Sequence, residues 1–363
     1  MSLTVGLIGL PNVGKSTIFN ALTKSFVPSD NFPFCTIEPN HGIVNINDPR
    51  LDMISGKIST EKIVPATIEF VDIAGIVKGA SKGDGLGNKF LSHIRNVDAI
   101  AHVVRCFESD DITHVDGSVD PIRDIETIKL ELNLKDLETL EKRITKAQKN
   151  AKGNDREAAK ELELLSCVYD SLSENSCLPN DLSDSDYKLL QSFSLLSSKP
   201  MLYVANIDEK SISSGNIYLD KLIDYASKDK SPVIYLCGSI EMEIAGLEID
   251  ERLMFMEEYG INETGLDRLA INAYKLLGLE TFFTAGPKEI RAWTIPCKSR
   301  ADDAAGTIHT DFKKGFIKAE VYSISSLVEL GSEKEIKNAG KMRLEGKEYV
   351  VNDGDVIFFR FNV

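Results

Sequence analysis

The sequence predicts a doubly wound, mostly parallel α/β domain, interrupted by a helical hairpin and followed by a small, β-rich C-terminal domain. Three observations carry this expectation. Continuous apolar runs of strand length alternate with helical patterns, as in parallel sheets buried on both faces. The interval between Asp72 and Asn206 is too long and too helical for that alternation. From Gly278 onward short runs and turn signals take over. The expected divisions are 1–120 with 195–277 for the α/β domain, 121–194 for the inserted hairpin and 278–363 for the tail.

Thr4 to Ile8 form the first apolar run, which ends in glycine and opens into a helical stretch, the start of a βαβ unit. Further strands are expected at Thr67–Asp72, Ala99–Cys106, Met201–Asn206 and Val233–Cys237. In the long interval, Leu137, Leu140, Ile144, Ala147 and Ala151 follow 3, 4, 3, 4 spacing. Beyond Gly153-Asn154, a second seam runs through Ala158, Leu162, Leu165, Tyr169 and Leu172. Two heptad-like seams around a glycine-asparagine break predict an antiparallel, coiled-coil-like hairpin. In the tail, the runs Thr307–Asp311, Lys318–Tyr322, Tyr349–Asn352 and Val356–Phe361 predict strands, with a turn at Asn352-Asp353-Gly354-Asp355.

Composition narrows the function. With 363 residues, 42% hydrophobic and 27% charged, the chain is long and apolar enough for two or three folded domains. No run approaches the roughly 18 apolar residues of a membrane span, and the first residues lack a secretory pattern, so a cytoplasmic chain with no membrane partner is expected. The six cysteines show no metal-ligand spacing and read as idle thiols. A net charge of −14 excludes bulk attraction to nucleic acid. That charge is uneven: residues 278–363 hold 13 basic and 13 acidic side chains, so the rest of the chain carries all of it.

The chemistry begins at Gly9-Leu10-Pro11-Asn12-Val13-Gly14-Lys15-Ser16-Thr17. This is a G-x-x-x-x-G-K-S-T phosphate loop, after a strand and before a helix, the context such a loop requires. Its backbone amides and the helix N-terminus suit phosphate oxygens. Lys15 is expected on the β- and γ-phosphates and Ser16 on Mg²⁺. Asp72-Ile73-Ala74-Gly75 closes a second strand as the D-x-x-G of a nucleotide switch, with Asp72 toward the magnesium and the Gly75 amide toward the γ-phosphate. The glycines between Gly79 and Gly87 suit a segment that reorders with nucleotide state. Thr36, between the two motifs, is the candidate second hydroxyl ligand for Mg²⁺.

The base-reading segment departs from the guanine-specific N-K-x-D. Here Asn206-Ile207-Asp208-Glu209 replaces the lysine by Ile207 and places Glu209, one methylene longer, where aspartate accepts from guanine. Bidentate recognition tolerates little displacement, so guanine preference is expected to weaken. Ser239, in Cys237-Gly238-Ser239, fits the second base-contacting loop.

Phosphate loop, switch glycines, N-x-x-E, hairpin insertion and β-rich tail together resemble the YchF/Obg-like ATPase family, related to the Obg GTPases, over essentially the whole chain. Thr281–Gly286, Arg291–Thr294, His309–Phe312 and Gly315-Phe316 look like the signature of that family's β-grasp-like TGS domain. The resemblance implies an Obg-type G domain, ATP in preference to GTP, and association with the ribosome or ribosomal RNA through the hairpin, the TGS domain or both. The residues themselves reach only an ATPase or GTPase switch. A GTPase assembly factor and a nucleotide-bound RNA scaffold with negligible turnover stay open. A metabolic kinase lacks an evident acceptor pocket and arginine-bearing lid.

Where many GTPases carry glutamine after D-x-x-G, this chain has Ile76, so slow hydrolysis is expected, on the order of 10⁻⁴ to 10⁻² s⁻¹. His114, in the polar loop after Ala99–Cys106, is the candidate group to orient or deprotonate water, against the alternative of a solvated loop histidine. Asn12 is the candidate ligand of a monovalent cation such as K⁺. Lys142, Arg143, Lys146, Lys149 and Lys152 form an acid-free basic stripe suited either to RNA phosphates or to a solvated helix face.

Overall fold

The computed structural model describes residues 3–24, 40–73, 86–150, 156–179 and 182–362. Thr36, Gly75, Ile76, Ala151, Lys152 and the Gly153-Asn154 break lie outside the described residues. The strands are β1 (Thr4–Ile8), β2 (His41–Asn45), β3 (Ile63–Val64), β4 (Thr67–Asp72), β5 (Ala99–Arg105) and β6 (Met201–Asn206). They continue as β7 (Val233–Leu236), β8 (Leu279–Ala285), β9 (Ile290–Pro296), β10 (Phe316–Ser323), β11 (Arg343–Glu345) and β12 (Asp355–Phe361). The helices begin with α1 (Lys15–Lys24), α2 (Arg50–Ser55), α3 (Leu86–Asn96), α4 (Pro121–Asn150) and α5 (Arg156–Asn175). Next come α6 (Asp184–Ser192), α7 (Ser211–Ser214), α8 (Ile217–Asp229), α9 (Gly238–Ile244) and α10 (Ile249–Glu258). The last five are α11 (Gly265–Leu276), α12 (Ala301–Ile308), α13 (Thr310–Lys314), α14 (Ile324–Leu330) and α15 (Glu333–Asn338). Among the described residues, no helix is long and apolar enough to cross a membrane.

Two sheets organise the chain. The first has the order β2-β4-β1-β5-β6-β7, and β1 pairs parallel with both β4 and β5, as β6 does with β5 and β7. Every residue of β5 is buried, which is why its sequence is a continuous apolar run around His102 and Arg105. Because β1, β4, β5 and β6 run the same way, the segments leaving their C-terminal ends gather at one edge.

The hairpin follows the seams read from the sequence. Leu140, Ala147, Leu165 and Leu172 are buried in one cluster, with Leu137, Ile144, Leu162 and Tyr169 packed against it. At its root, Ile125 joins the core around Tyr203 and Leu219. Fully buried Asp136 accepts from the amides of Leu196 (2.9 Å) and Ser197 (2.8 Å), fixing the chain as it returns toward β6.

By contact, residues 43–68 and 267–362 form one compact unit and the remaining described residues the other. The second unit holds the sheet β11-β10-β12-β8-β9-β3, in which β3 pairs parallel with β9 at Ile63↔Ile290. Arg50 of α2 donates to Asp48 (2.8 Å) and Asp353 (2.7 Å), and its guanidinium carbon lies 5.1 Å from the centre of the Phe283 ring. Sequence reasoning assigned neither 43–68 nor 267–277 to this unit.

Within the tail, the expected strands at Lys318–Tyr322 and Val356–Phe361 fall in β10 and β12. Thr307–Asp311 is a correction: it spans the end of α12 and the start of α13. The alanine stripe Ala301, Ala304 and Ala305 packs a helix into the core cluster, which overrides the strand preference of Thr307 and Ile308. The His309 ring then accepts from the Asp311 amide at 3.2 Å and starts the next helix. Tyr349–Asn352 does not form a strand: it is an irregular segment whose bridge between Val350 and Arg300 pairs it with residues 299–301. Buried Asp355 holds it through the Tyr349 hydroxyl (2.8 Å) and the Asn352 amide (3.0 Å).

Candidate active site

The phosphate loop is shaped by what its neighbours exclude. A side chain at Gly9 would place Cβ 2.7 Å from the Val103 carbonyl oxygen, so only glycine lets the chain leave β1 here. Asn12 and Gly14 take left-handed conformations, with φ of 64° and 91°. The first hydrogen bond of α1 runs from the Ile18 amide to the Gly14 carbonyl at 3.0 Å. The preceding amides are those a helix N-terminus leaves for an anion.

Opposite stands the end of β4. Lys15 Nζ and Asp72 Oδ1 form an ion pair. Both line a cleft of about 570 Å³ together with Asn12, Gly14, Ser16 and Thr17. That volume is in the range of small-molecule sites. Ser16 is exposed and Asp72 half-buried, so a hydroxyl and a carboxylate, both hard oxygen donors that suit Mg²⁺, share one cleft.

Asn206 lies at the junction of three segments. Its Nδ2 donates to the Val13 carbonyl at 2.9 Å, and its Oδ1 accepts from the Gly238 amide at 3.0 Å. A side chain at Gly14 would meet that same Nδ2 at 2.1 Å. Asn206 therefore clamps the phosphate loop to the ends of β6 and β7. The Ile207 side chain points into the core beside Leu219 and Leu222, so it does not project toward the phosphate loop. Glu209 accepts from the Tyr259 hydroxyl at 2.9 Å, and Ser239 Oγ lies 3.2 Å from Cys237 Sγ.

The loop after β5 is built on a residue that sequence reasoning passed over. Arg105 is fully buried and donates to the carbonyls of Phe107 (3.1 Å) and Ile112 (2.9 Å), with its guanidinium over the Phe107 ring. Only the occurrence of arginine in an otherwise apolar strand signalled it. Asn12 Nδ2 donates to the Thr113 carbonyl at 3.1 Å, tying this loop to the phosphate loop. Ile112 also lines the cleft.

His114 departs from expectation. It is buried, its Nδ1 accepts from the Asp116 amide at 3.1 Å, and Nε2 faces Asp124 Oδ2 at 2.9 Å. With Nδ1 accepting, Nε2 carries the proton and donates to Asp124. Neither nitrogen is free to take a proton from water, and the ring is not solvated. His114, Asp116 and Asp124 bring three ligand-type atoms within 4.8 Å of one another. Arg123, at 3.6 Å from Asp116 and 3.2 Å from Asp124, already supplies their cation. Among the described cysteines, Cys106 and Cys237 are buried, whereas Cys167, Cys177 and Cys297 are exposed. Burial pushes the Cys106 thiol up to about 12.

A family model described as "50S ribosome-binding GTPase" matches residues 4–136. A second, named for the YchF GTPase C-terminal region and described as "Protein of unknown function (DUF933)", matches residues 279–362. A protein of Bacillus subtilis named "Ribosome-binding ATPase YchF" is 55% identical, with all of both chains covered. The chain belongs to the YchF family. An Escherichia coli O157:H7 member of the same name is 51% identical, again with complete coverage of both. Among solved structures, the Schizosaccharomyces pombe YchF GTPase is similar at a TM-score of 0.90 and 35% identity, covering 99% of this chain and 98% of that one. The P-loop GTPase-type α/β fold with its C-terminal domain is thus the family's fold. The names of these YchF relatives differ on the nucleotide: ATPase in the bacterial proteins, GTPase in the fungal one.

Proposed function

We propose that this chain is a slow, Mg²⁺-dependent ATPase switch of the cytoplasm that hydrolyses ATP to ADP and phosphate and associates with the ribosome. The observation that carries the reading is the convergence of Lys15, Ser16 and Asp72 in one cleft below the N-terminus of α1, although Asp72 is 57 residues from Lys15. Lys15 and Asp72 neutralise each other in the structure. A triphosphate entering the cleft would draw Lys15 onto its β- and γ-oxygens and free the Asp72 carboxylate. Ser16 and Asp72, with Thr36 as the further candidate, would hold Mg²⁺. Bound there, the metal would supply positive charge to offset the charge that develops on the phosphate oxygens. The Gly75 amide is proposed to sense the γ-phosphate, and the Val13, Gly14 and Thr17 backbone to cradle the phosphates. Asn12 is proposed as a K⁺ ligand through its side-chain oxygen, since its nitrogen is used on Thr113.

For the base, Glu209 and Ser239 are the proposed contacts, while Asn206 and Ile207 set the loop that carries Glu209. A longer carboxylate already engaged by Tyr259 is poorly placed for the two-point edge of guanine, and this supports ATP over GTP. The ribosome-binding names of relatives about half identical over their full length support ribosome association here. Exposed Lys142, Lys146 and Lys149 on one face of α4 fit RNA phosphates, and the C-terminal TGS-like domain is a second proposed contact. Phosphate release tests the chemistry. Turnover requires Mg²⁺, exceeds its Na⁺ value in K⁺, and falls at least tenfold in Lys15→Ala. Turnover that survives Lys15→Ala or chelation contradicts the mechanism, and equal rates in the two salts remove the Asn12 proposal.

A further inference from the structure

Helix α10 (Ile249–Glu258) has no role in the site described above. Its inner side is accounted for: Phe255 and Met256 pack against the core cluster around Tyr203 and Ile240. The outer side is not, since Ile249, Leu253 and Met254 are 77%, 62% and 65% exposed. Three large apolar side chains on one short helix are more than scattered surface leucines require, and a contiguous apolar patch on a folded protein marks an interaction surface. Ile249 and Leu253 are one helical turn apart and form a ridge, with Met254 beside it. Methionine suits a surface that must adapt to an incoming side chain.

Charge identifies the occupant. Between Glu241 and Glu263 the sequence holds eight acidic side chains and one basic, a net −7, half of the −14 carried by the whole chain. Asp250, Glu251, Glu257 and Glu258 are exposed and interleave with the apolar ridge. A polyanion such as RNA is repelled from this face, and so is a second copy of the same acidic helix. An apolar ridge among carboxylates instead complements a cationic amphipathic segment, whose leucine-type side chains cover the ridge while its lysines and arginines meet the acids.

We infer that the outer face of α10 is a docking surface for a basic, amphipathic protein segment. The helix ends at Tyr259, the residue that donates to Glu209. This hydrogen bond links the C-terminal end of α10 to the loop after β6.

The first test uses the full-length chain and a fluorescent 18-residue leucine/lysine amphipathic peptide, followed by anisotropy. The unmodified protein binds it, and Ile249→Ser/Leu253→Ser/Met254→Ser lowers the affinity at least tenfold at every salt concentration. Asp250→Asn/Glu257→Gln lowers it less and flattens the salt dependence. Equal affinity of the triple-serine variant and the unmodified chain overturns the proposal, as does equal binding of oligolysine, which means charge alone. The second test introduces p-benzoylphenylalanine at Met254 and irradiates the protein with purified ribosomes. This arm rests on the ribosome reading above. Cross-links to ribosomal protein support the surface. Cross-links only to RNA or to a second copy of the chain, or co-sedimentation without any cross-link, overturn it. Failure to co-sediment counts against the ribosome reading, and the peptide result then decides the surface alone.

Discussion

Asn206 owes its buried place to two backbone groups, the Val13 carbonyl and the Gly238 amide. Leaving both unpaired costs about 1–3 kcal/mol each in a dry site, which accounts for the buried amide through the backbone alone. His114 is a similar case. Its ring joins the Asp116 amide to Asp124 near the start of α4, and we propose that it organises this loop rather than acting on water. His114→Ala is expected to lower stability by about 1–3 kcal/mol, read from urea midpoints, and to change kcat less than threefold. A tenfold loss of kcat at unchanged stability would return it to the catalytic set. At this scale the sequence revealed what is local. The nine residues from Gly9 to Thr17 declare themselves by spacing alone. The Asn206 clamp spans 193 residues, and the Tyr259 hydroxyl on Glu209 spans 50, so no local pattern carries them.

Among the elements, β5 and α4 make opposite demands. In β5, His102 is buried in the middle of a fully covered strand, and its Nδ1 has no hydrogen-bond partner. Burial, reinforced by Lys129, lowers its pKa from the ordinary 6.5 to about 3. The unfolded chain therefore takes up a proton that the folded chain refuses, and stability falls as pH drops from about 6.5 toward 3. Between pH 7 and pH 5 this group alone removes about 2 kcal/mol. Comparing urea midpoints at the two pH values, His102→Phe should lose less on acidification than the unmodified chain by that amount. An identical loss in both would show that His102 is not the source. Helix α4 is legible as a seam because its apolar spacing repeats. The strand preference of Thr307 misled because tertiary packing of Ala301, Ala304 and Ala305 outweighs it. On the hairpin, Lys142→Glu/Lys146→Glu/Lys149→Glu is expected to abolish ribosome co-sedimentation and leave ATP turnover within twofold. Retained sedimentation would move the contact elsewhere.

Across the whole molecule, the alternation of strands and helices was sufficient to read the α/β class. Membership of residues 43–68 was not legible. It depends on Ile63 pairing with Ile290 and on Arg50 meeting Asp353, contacts more than 200 residues apart that composition does not mark. The acidity that excluded bulk RNA binding is itself localised, with half of the net charge around α10 and a basic stripe on α4. The net charge is therefore uneven along the chain, acidic around α10 and basic on α4.

The central claim is that this cleft has kept the phosphate chemistry of the switch GTPases and given up guanine. Parallel calorimetric titrations with ATP and GTP, each with Mg²⁺, test it most directly. ATP is expected to bind at least tenfold more tightly, a difference of about 1.4 kcal/mol. Tighter binding of GTP would mean that Glu209 still reads guanine, and would contradict the assignment of this chain as an ATPase.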